Sequence, residues 1–204
     1  MQILIVIIAI IGLVSVMGFS NTDVVYRLQF NAWQIIRKKE YYRLLSHALV
    51  HGGWTHLLLN MFVLWSFGRG VMQLFTIYLG GNGTLLFLIL FISAIPISSL
   101  YSLQKHKNDY HYNAIGASGG VMAVVFASIF LEPYSLIYVY FIPIPGILFG
   151  IIYLIYTKIM STRNNDNIGH DAHFFGAMYG FLFPLLFEPR LVFLFFQKLI
   201  SFQF

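Results

Sequence analysis

Uncharged apolar runs long enough to cross a bilayer recur along this chain, and they restrict it to a membrane. Met1 to Phe19 and Thr84 to Leu103 each contain no Asp, Glu, Lys or Arg. Only 9% of the 204 residues are charged and 59% are hydrophobic, too little charge to cover a soluble domain of this size. The predicted class is therefore all-α, a polytopic membrane protein with one domain over residues 1–204. With no cysteine there is neither a disulfide framework nor a thiolate metal site. The net charge of +5 is the balance of 12 basic and 7 acidic residues, the basic ones scattered among loops. Such scatter favours anionic lipid over nucleic acid as the counter-charge.

Taken in order, Met1 to Phe19 has no basic residue before it and no A-x-A site after it, so it is expected to be a retained first span rather than a cleaved leader. Ser20 to Gly53 interleaves Tyr26, Phe30, Trp33, Tyr41 and Tyr42 with Arg27, Arg37, Lys38, Lys39 and Arg43. That mixture suits a structured loop at headgroup depth. Further spans are expected over 54–79, 84–103, 115–131, 134–156 and 170–187, followed by an interfacial tail over 188–204. Gly68, Arg69 and Gly70 mark a bend or the end of the second span. Pro143, Pro145, Gly146 and Gly150 favour bending in the first half of the fifth. Lys158 to Gly169 reads as a polar loop able to move as a lid. At about 1.5 Å per residue the fourth span covers roughly 25 Å of an approximately 30 Å hydrocarbon core, so Ser118 is expected to lie below the bilayer surface.

The candidate chemistry begins at Ser118, set between glycines at a predicted helix start, where backbone N–H donors are close and no side chain blocks approach. Small residues there are also what two closely packed helices require. His173, near the start of the sixth span, is an ionisable group inside a membrane segment and hence a functional candidate. Capping or facing a polar cavity would also account for it. Two ridges of small residues couple these positions: Gly119, Ala123 and Ala127 on one helix, Ala172, Gly176 and Gly180 on the other, each at i, i+4, i+8. Packed together, they would bring hydroxyl and imidazole within reach. His56 and Asn60, at i and i+4, could both donate to an oxyanion or could clamp two helices. His47 and His51 with Arg43 suit either loop-structuring hydrogen bonds or catalysis.

Other chemistries fit less well. His47 and His51 enclose no glutamate, so the H-E-x-x-H pattern is absent. His170 to His173 could touch a metal, but nothing obvious completes a shell. The 7 acidic residues lie in loops or at helix ends, leaving no mid-membrane aspartate pair. No metal and no cofactor are expected.

From Tyr42 to Gly180 the chain resembles the rhomboid family of intramembrane serine proteases. The resemblance rests on Tyr42-Arg43, Ser46 to His51, His56 to Asn60, Gly116-Ala117-Ser118-Gly119, and Ala172-His173 with Gly176 and Gly180, in that order. It implies a six-transmembrane-helix rhomboid fold with a water-filled cavity and a Ser118–His173 dyad lacking an acidic third member. It also implies an oxyanion site from His56, Asn60, Gly116 and Ser118, a structural anchor at Arg43, and supporting roles for His51, Gly119, Gly176 and Gly180. Lys158 to Gly169 would be the capping loop, and the fifth helix the side of substrate entry. Where the family often carries an aromatic residue one turn after the serine, this chain has Met122, and the pair usually written Trp-Arg is Tyr42-Arg43.

The resemblance thus implies an endopeptidase that cuts transmembrane or juxtamembrane segments of membrane proteins, in the cell (inner) membrane with its site open to the extracytoplasmic side. Membrane lipid is the other expected partner. In that orientation nine of the twelve basic residues lie outside, against the positive-inside rule, although five of the nine fall in the interfacial first loop. A catalytically silent rhomboid-like protein that binds membrane clients is the alternative. A small transporter would need a repeat or a through-path that the sequence does not present.

Overall fold

The computed structural model describes residues 2–139, 141–163 and 169–201. Helix α1 (Gln2–Ser20) is followed by three short helices, α2 (Thr22–Leu28), α3 (Ala32–Arg37) and α4 (Arg43–Ser46), and a 3-10 turn, His47–Leu49. Asparagines set two of these starts: Asn21 accepts from the Asp23 N–H and Asn31 from the Gln34 N–H. The long helices α5 (Trp54–Leu79) and α6 (Gly83–Lys105) form an antiparallel pair, and α7 (Ser118–Leu131) is the central helix. Then come strands β1 (Leu136–Val139) and β2 (Ile142–Pro145), helices α8 (Gly146–Arg163) and α9 (His170–Leu182), a 3-10 turn, Phe183–Leu186, and α10 (Leu191–Ser201).

The architecture is mostly helical, as expected, but length and composition do not yield six spans. Among the described residues α1, α5 and α6 are long and apolar enough to cross a membrane, and the pair running from His170 to Leu186 and from Leu191 to Ser201, bent by 114°, passes only if counted as one span. Helix α7 has 14 residues, about 21 Å. It need not match the bilayer thickness, because its residues from Gly119 to Leu131 are buried in protein apart from the half-buried Met122 and Ser128.

The largest correction lies before α8. A helix was expected from Tyr134, yet β1 and β2 form an antiparallel hairpin, with Tyr138 opposite Pro143 and Leu136 opposite Pro145. A proline disfavours helical geometry in the residue before it, so Pro143 and Pro145 hold Ile142 and Ile144 extended. Neither proline bends a helix, and α8 starts after the second. The polar loop is also shorter than expected: Lys158 to Arg163 belong to α8, and residues 164–168 lie outside the described ones. Helix α5 runs unbroken through Gly68-Arg69-Gly70, where Gly68 packs against Leu4 of α1.

Helix α9 lies against α7 backbone to backbone. A Cβ on Gly176 would sit 2.3 Å from the Gly119 carbonyl oxygen, and one on Gly119 would sit 2.2 Å from Ser98 Oγ of α6. At the opposite end, Lys198 of α10 donates to the Leu131 carbonyl (2.7 Å) and Tyr78 Oη (2.8 Å) and pairs with Glu132 (2.8 Å). The tail thereby becomes a helix docked under α5 and α7, with Phe195 stacked on Phe130.

Candidate active site

Ser118 is the first residue of α7, and the segment before it is clamped on both sides. Phe30 and Ala114 exchange backbone hydrogen bonds of 2.9 and 3.1 Å, the Gly116 N–H donates to the His47 carbonyl at 2.9 Å, and the Ala117 N–H donates to His51 Nε2 at 3.4 Å. Gly116 has φ +113°, and a Cβ there would come within 2.7 Å of the His56 ring. Backbone conformation and space both demand glycine at that position. The first intrahelical bond of α7 runs from the Val121 N–H to the Ala117 carbonyl, and no side chain caps the helix. The N–H groups of Ser118, Gly119 and Gly120 therefore precede the helical ladder, at the electropositive end of the helix.

His173 stands in the first turn of α9, its N–H bonded to the Gly169 carbonyl at 3.1 Å. Its Nε2 lies 2.6 Å from Ser118 Oγ, and both side chains are half-buried, so they meet where a substrate can reach them. The sequence ridges do what their spacing implied: Gly176 seats on Gly119 and Gly180 on Ala123, which sets the depth at which the imidazole meets the hydroxyl. Asp171 forms an ion pair with Lys105 of α6 at 2.8 Å, tying the start of α9 to the end of α6.

His56 packs its ring on Gly116 and edge-on to His51, 4.9 Å between centroids. Asn60 is buried and donates one amide hydrogen to the His56 carbonyl at 2.9 Å, leaving its second N–H available. The Gly116 N–H is taken by His47, so what this residue gives the site is room for the imidazole rather than a donor. Met122 is half-buried and packs into the apolar clusters around α7.

The first loop supplies the scaffold. Arg43, 3% exposed, donates to the carbonyls of Tyr26 (2.9 Å) and Gln29 (2.8 Å) and pairs with Glu40, which fixes α2 against α4. Burial pushes the His47 and His51 imidazoles down from 6.5 to about 4 and about 3, so both are neutral at physiological pH. His51 Nδ1 lies 2.8 Å from Ser15 Oγ, which itself donates to the Leu49 carbonyl at 2.9 Å. The hydroxyl must then accept from Nδ1–H, leaving Nε2 to receive the Ala117 N–H. Ser15 went unnoticed in the sequence because a lone serine in an apolar helix ordinarily bonds to its own helix backbone. Among the described residues no group of three His, Asp or Glu could hold a metal.

Residues 38–190 match the family model described as Rhomboid domain. A curated relative, "RHOMBOID-like protein 12, mitochondrial" of Arabidopsis thaliana, is 30% identical over 143 residues, 66% of this chain and 43% of that protein. Another, "Putative rhomboid protease YdcA" of Bacillus subtilis (strain 168), is 27% identical over 154 residues, 72% of this chain and 67% of that protein. The chain thus spans less than half the length of the Arabidopsis relative. Because the family model covers most of the sequence, including Ser118 and His173, and the apolar helices are those of an integral membrane protein, the chain belongs to the rhomboid family.

Proposed function

We propose that this protein is an intramembrane serine endopeptidase acting on transmembrane or juxtamembrane segments of membrane proteins. The observation that carries the reading is the 2.6 Å separation between Ser118 Oγ and His173 Nε2. At that distance Nε2 takes the hydroxyl proton as Oγ attacks the scissile carbonyl carbon. The oxyanion that forms would be met by the Ser118 N–H, the His56 ring and the second amide hydrogen of Asn60. His173 then returns the proton to the leaving amine, and water opens the acyl-enzyme. The clamped loop from Phe30 to His51, with its His47 and His51 imidazoles neutral, keeps Ser118 fixed throughout.

Family membership supports this reading, and so does a Ser–His pair placed at the ends of two helices that touch through their backbones. The test is labelling of the detergent-purified protein with a serine-directed fluorophosphonate, with peptide mapping, alongside cleavage of a transmembrane substrate. Modification at Ser118 and loss of cleavage in Ser118→Ala are expected. Cleavage by purified Ser118→Ala above the no-enzyme control sinks the assignment.

For location, we place the protein in the cell membrane with Ser118 opening to the extracytoplasmic side. The chain has no cysteine. Single replacements Lys107→Cys and Gly81→Cys therefore report the two faces cleanly, and an impermeant maleimide should reach only Lys107→Cys in intact cells.

A further inference from the structure

On the side of the domain away from Ser118, α5 carries an exposed polar stripe: Arg69, Gln73 and Thr76, at i, i+4 and i+7 of one helix face. With Met72 and with Thr84 of α6 they line an open cavity of about 340 Å³. Gly83, next to Thr84, brings α6 against α5 at this cavity. A Cβ there would fall 2.0 Å from the Met72 carbonyl oxygen and 2.4 Å from Thr76 Oγ1, so the first turn of α6 sits directly on this part of α5. The Leu85 N–H is capped by the Asn82 side chain and the Leu86 N–H by the Asn82 carbonyl, while the N–H groups of Gly83 and Thr84 precede the ladder at the same end.

The cation in this groove lacks, among the described residues, the partner its position calls for. Arg69 lies within a helix able to cross the membrane, about 15 Å along the axis from its end at Leu79. Of the cations on this side, Arg190 and Lys198 are paired with Glu188 and Glu132. Arg69 has no carboxylate partner among the described residues, and it is exposed at the cavity, where an arginine in a membrane segment calls for a counter-charge. An exposed arginine, a glutamine amide and a threonine hydroxyl converging beside a helix start are donors seeking an anion with several acceptor oxygens.

We infer that this groove binds a phosphate group, supplied by the headgroup of an anionic phospholipid. Arg69 provides the charge, and Gln73 and Thr84 provide hydrogen bonds, since the Thr76 hydroxyl is already donated to the Met72 carbonyl at 3.0 Å. Phosphatidylglycerol fits because it brings a phosphodiester without the ammonium group that Arg69 would repel.

Native mass spectrometry of the full chain in detergent, titrated with phosphatidylglycerol or phosphatidylcholine, tests the site. Wild type should hold phosphatidylglycerol in preference to phosphatidylcholine, and Arg69→Gln should weaken the anionic lipid roughly fivefold, the effect of one interfacial charge. Arg69→Lys should keep most of the affinity. Equal phosphatidylglycerol binding by wild type and Arg69→Gln overturns the proposal. If Arg69→Gln fails to fold, Gln73→Leu with Thr84→Val, which keeps the charge, must weaken binding, and unchanged binding there overturns it equally. Displacement of the lipid by excess inorganic phosphate would overturn the lipid source and assign the groove to a soluble phosphate. Persistence of the lipid under the same excess supports the headgroup.

Discussion

Gly180 of α9 and Ala123 of α7 meet with no room for a side chain between them: a Cβ on Gly180 would lie 2.0 Å from the Ala123 carbonyl oxygen and 2.4 Å from its Cα. Both obstacles are backbone, so nothing can rotate away. Since His173 and Ser118 sit on the same two helices, this crossing determines their separation.

Gly180→Leu should therefore cost on the order of 1–3 kcal/mol through overpacking and should move the imidazole off the hydroxyl. Gly12→Ala on α1, where nothing lies within 4 Å of the new Cβ, is the control and should leave stability and activity unchanged. Thermal unfolding in detergent together with cleavage rates checks both. Full activity in Gly180→Leu would show that the helices tolerate separation.

Ser15 should act on the site through His51. Ser15→Ala removes the acceptor that holds the proton on Nδ1, which loosens the Ala117 N–H bond to Nε2 and with it the residue before Ser118. A stability loss of about 1 kcal/mol is expected, with kcat falling more than KM rises. Because the two residues form one chain of bonds, Ser15→Ala with His51→Ala should be little worse than His51→Ala alone. Additive effects would separate Ser15 from the site.

Asn60 separates oxyanion stabilisation from packing. Loss of one oxyanion donor typically lowers kcat by about 10²–10³, and His56 with the Ser118 N–H remains. Asn60→Ala should thus retain partial turnover, below wild type and above Ser118→Ala. If its role were limited to the bond with the His56 carbonyl, the melting temperature would drop while turnover per folded molecule stayed normal.

Stability should fall on acidification through His47 and His51. Their folded values are about 4 and about 3, against about 6.5 in the unfolded chain. As pH drops below about 6.5 the unfolded state takes up protons that the folded state refuses, so the contribution is complete above that pH and declines down to about 4 for His47 and about 3 for His51. The melting temperature should decrease across this window, and His51→Gln should flatten the decline. A melting temperature independent of pH there would mean that the buried imidazoles admit protons without unfolding.

Much of this molecule is legible in its residue order, because hydropathy and small-residue spacing are local signals. The apolar runs gave α1, α5 and α6 to within a few residues, and the ridges of Gly119, Ala123, Gly176 and Gly180 implied the backbone contact that joins α7 to α9. Local signals misread Tyr134 to Pro145, where an apolar run carries two prolines spaced for a strand pair, and they placed the start of α7 three residues early. What only the tertiary structure decided is long-range and polar. The carbonyls that receive Arg43, the hydroxyl of Ser15 on His51, the His47 carbonyl that occupies the Gly116 N–H, and the cavity that Arg69 shares with Thr84 join separate elements of the chain. Hydrogen bonds act only at contact distance and in a set direction, so their partners exist only once the helices have packed.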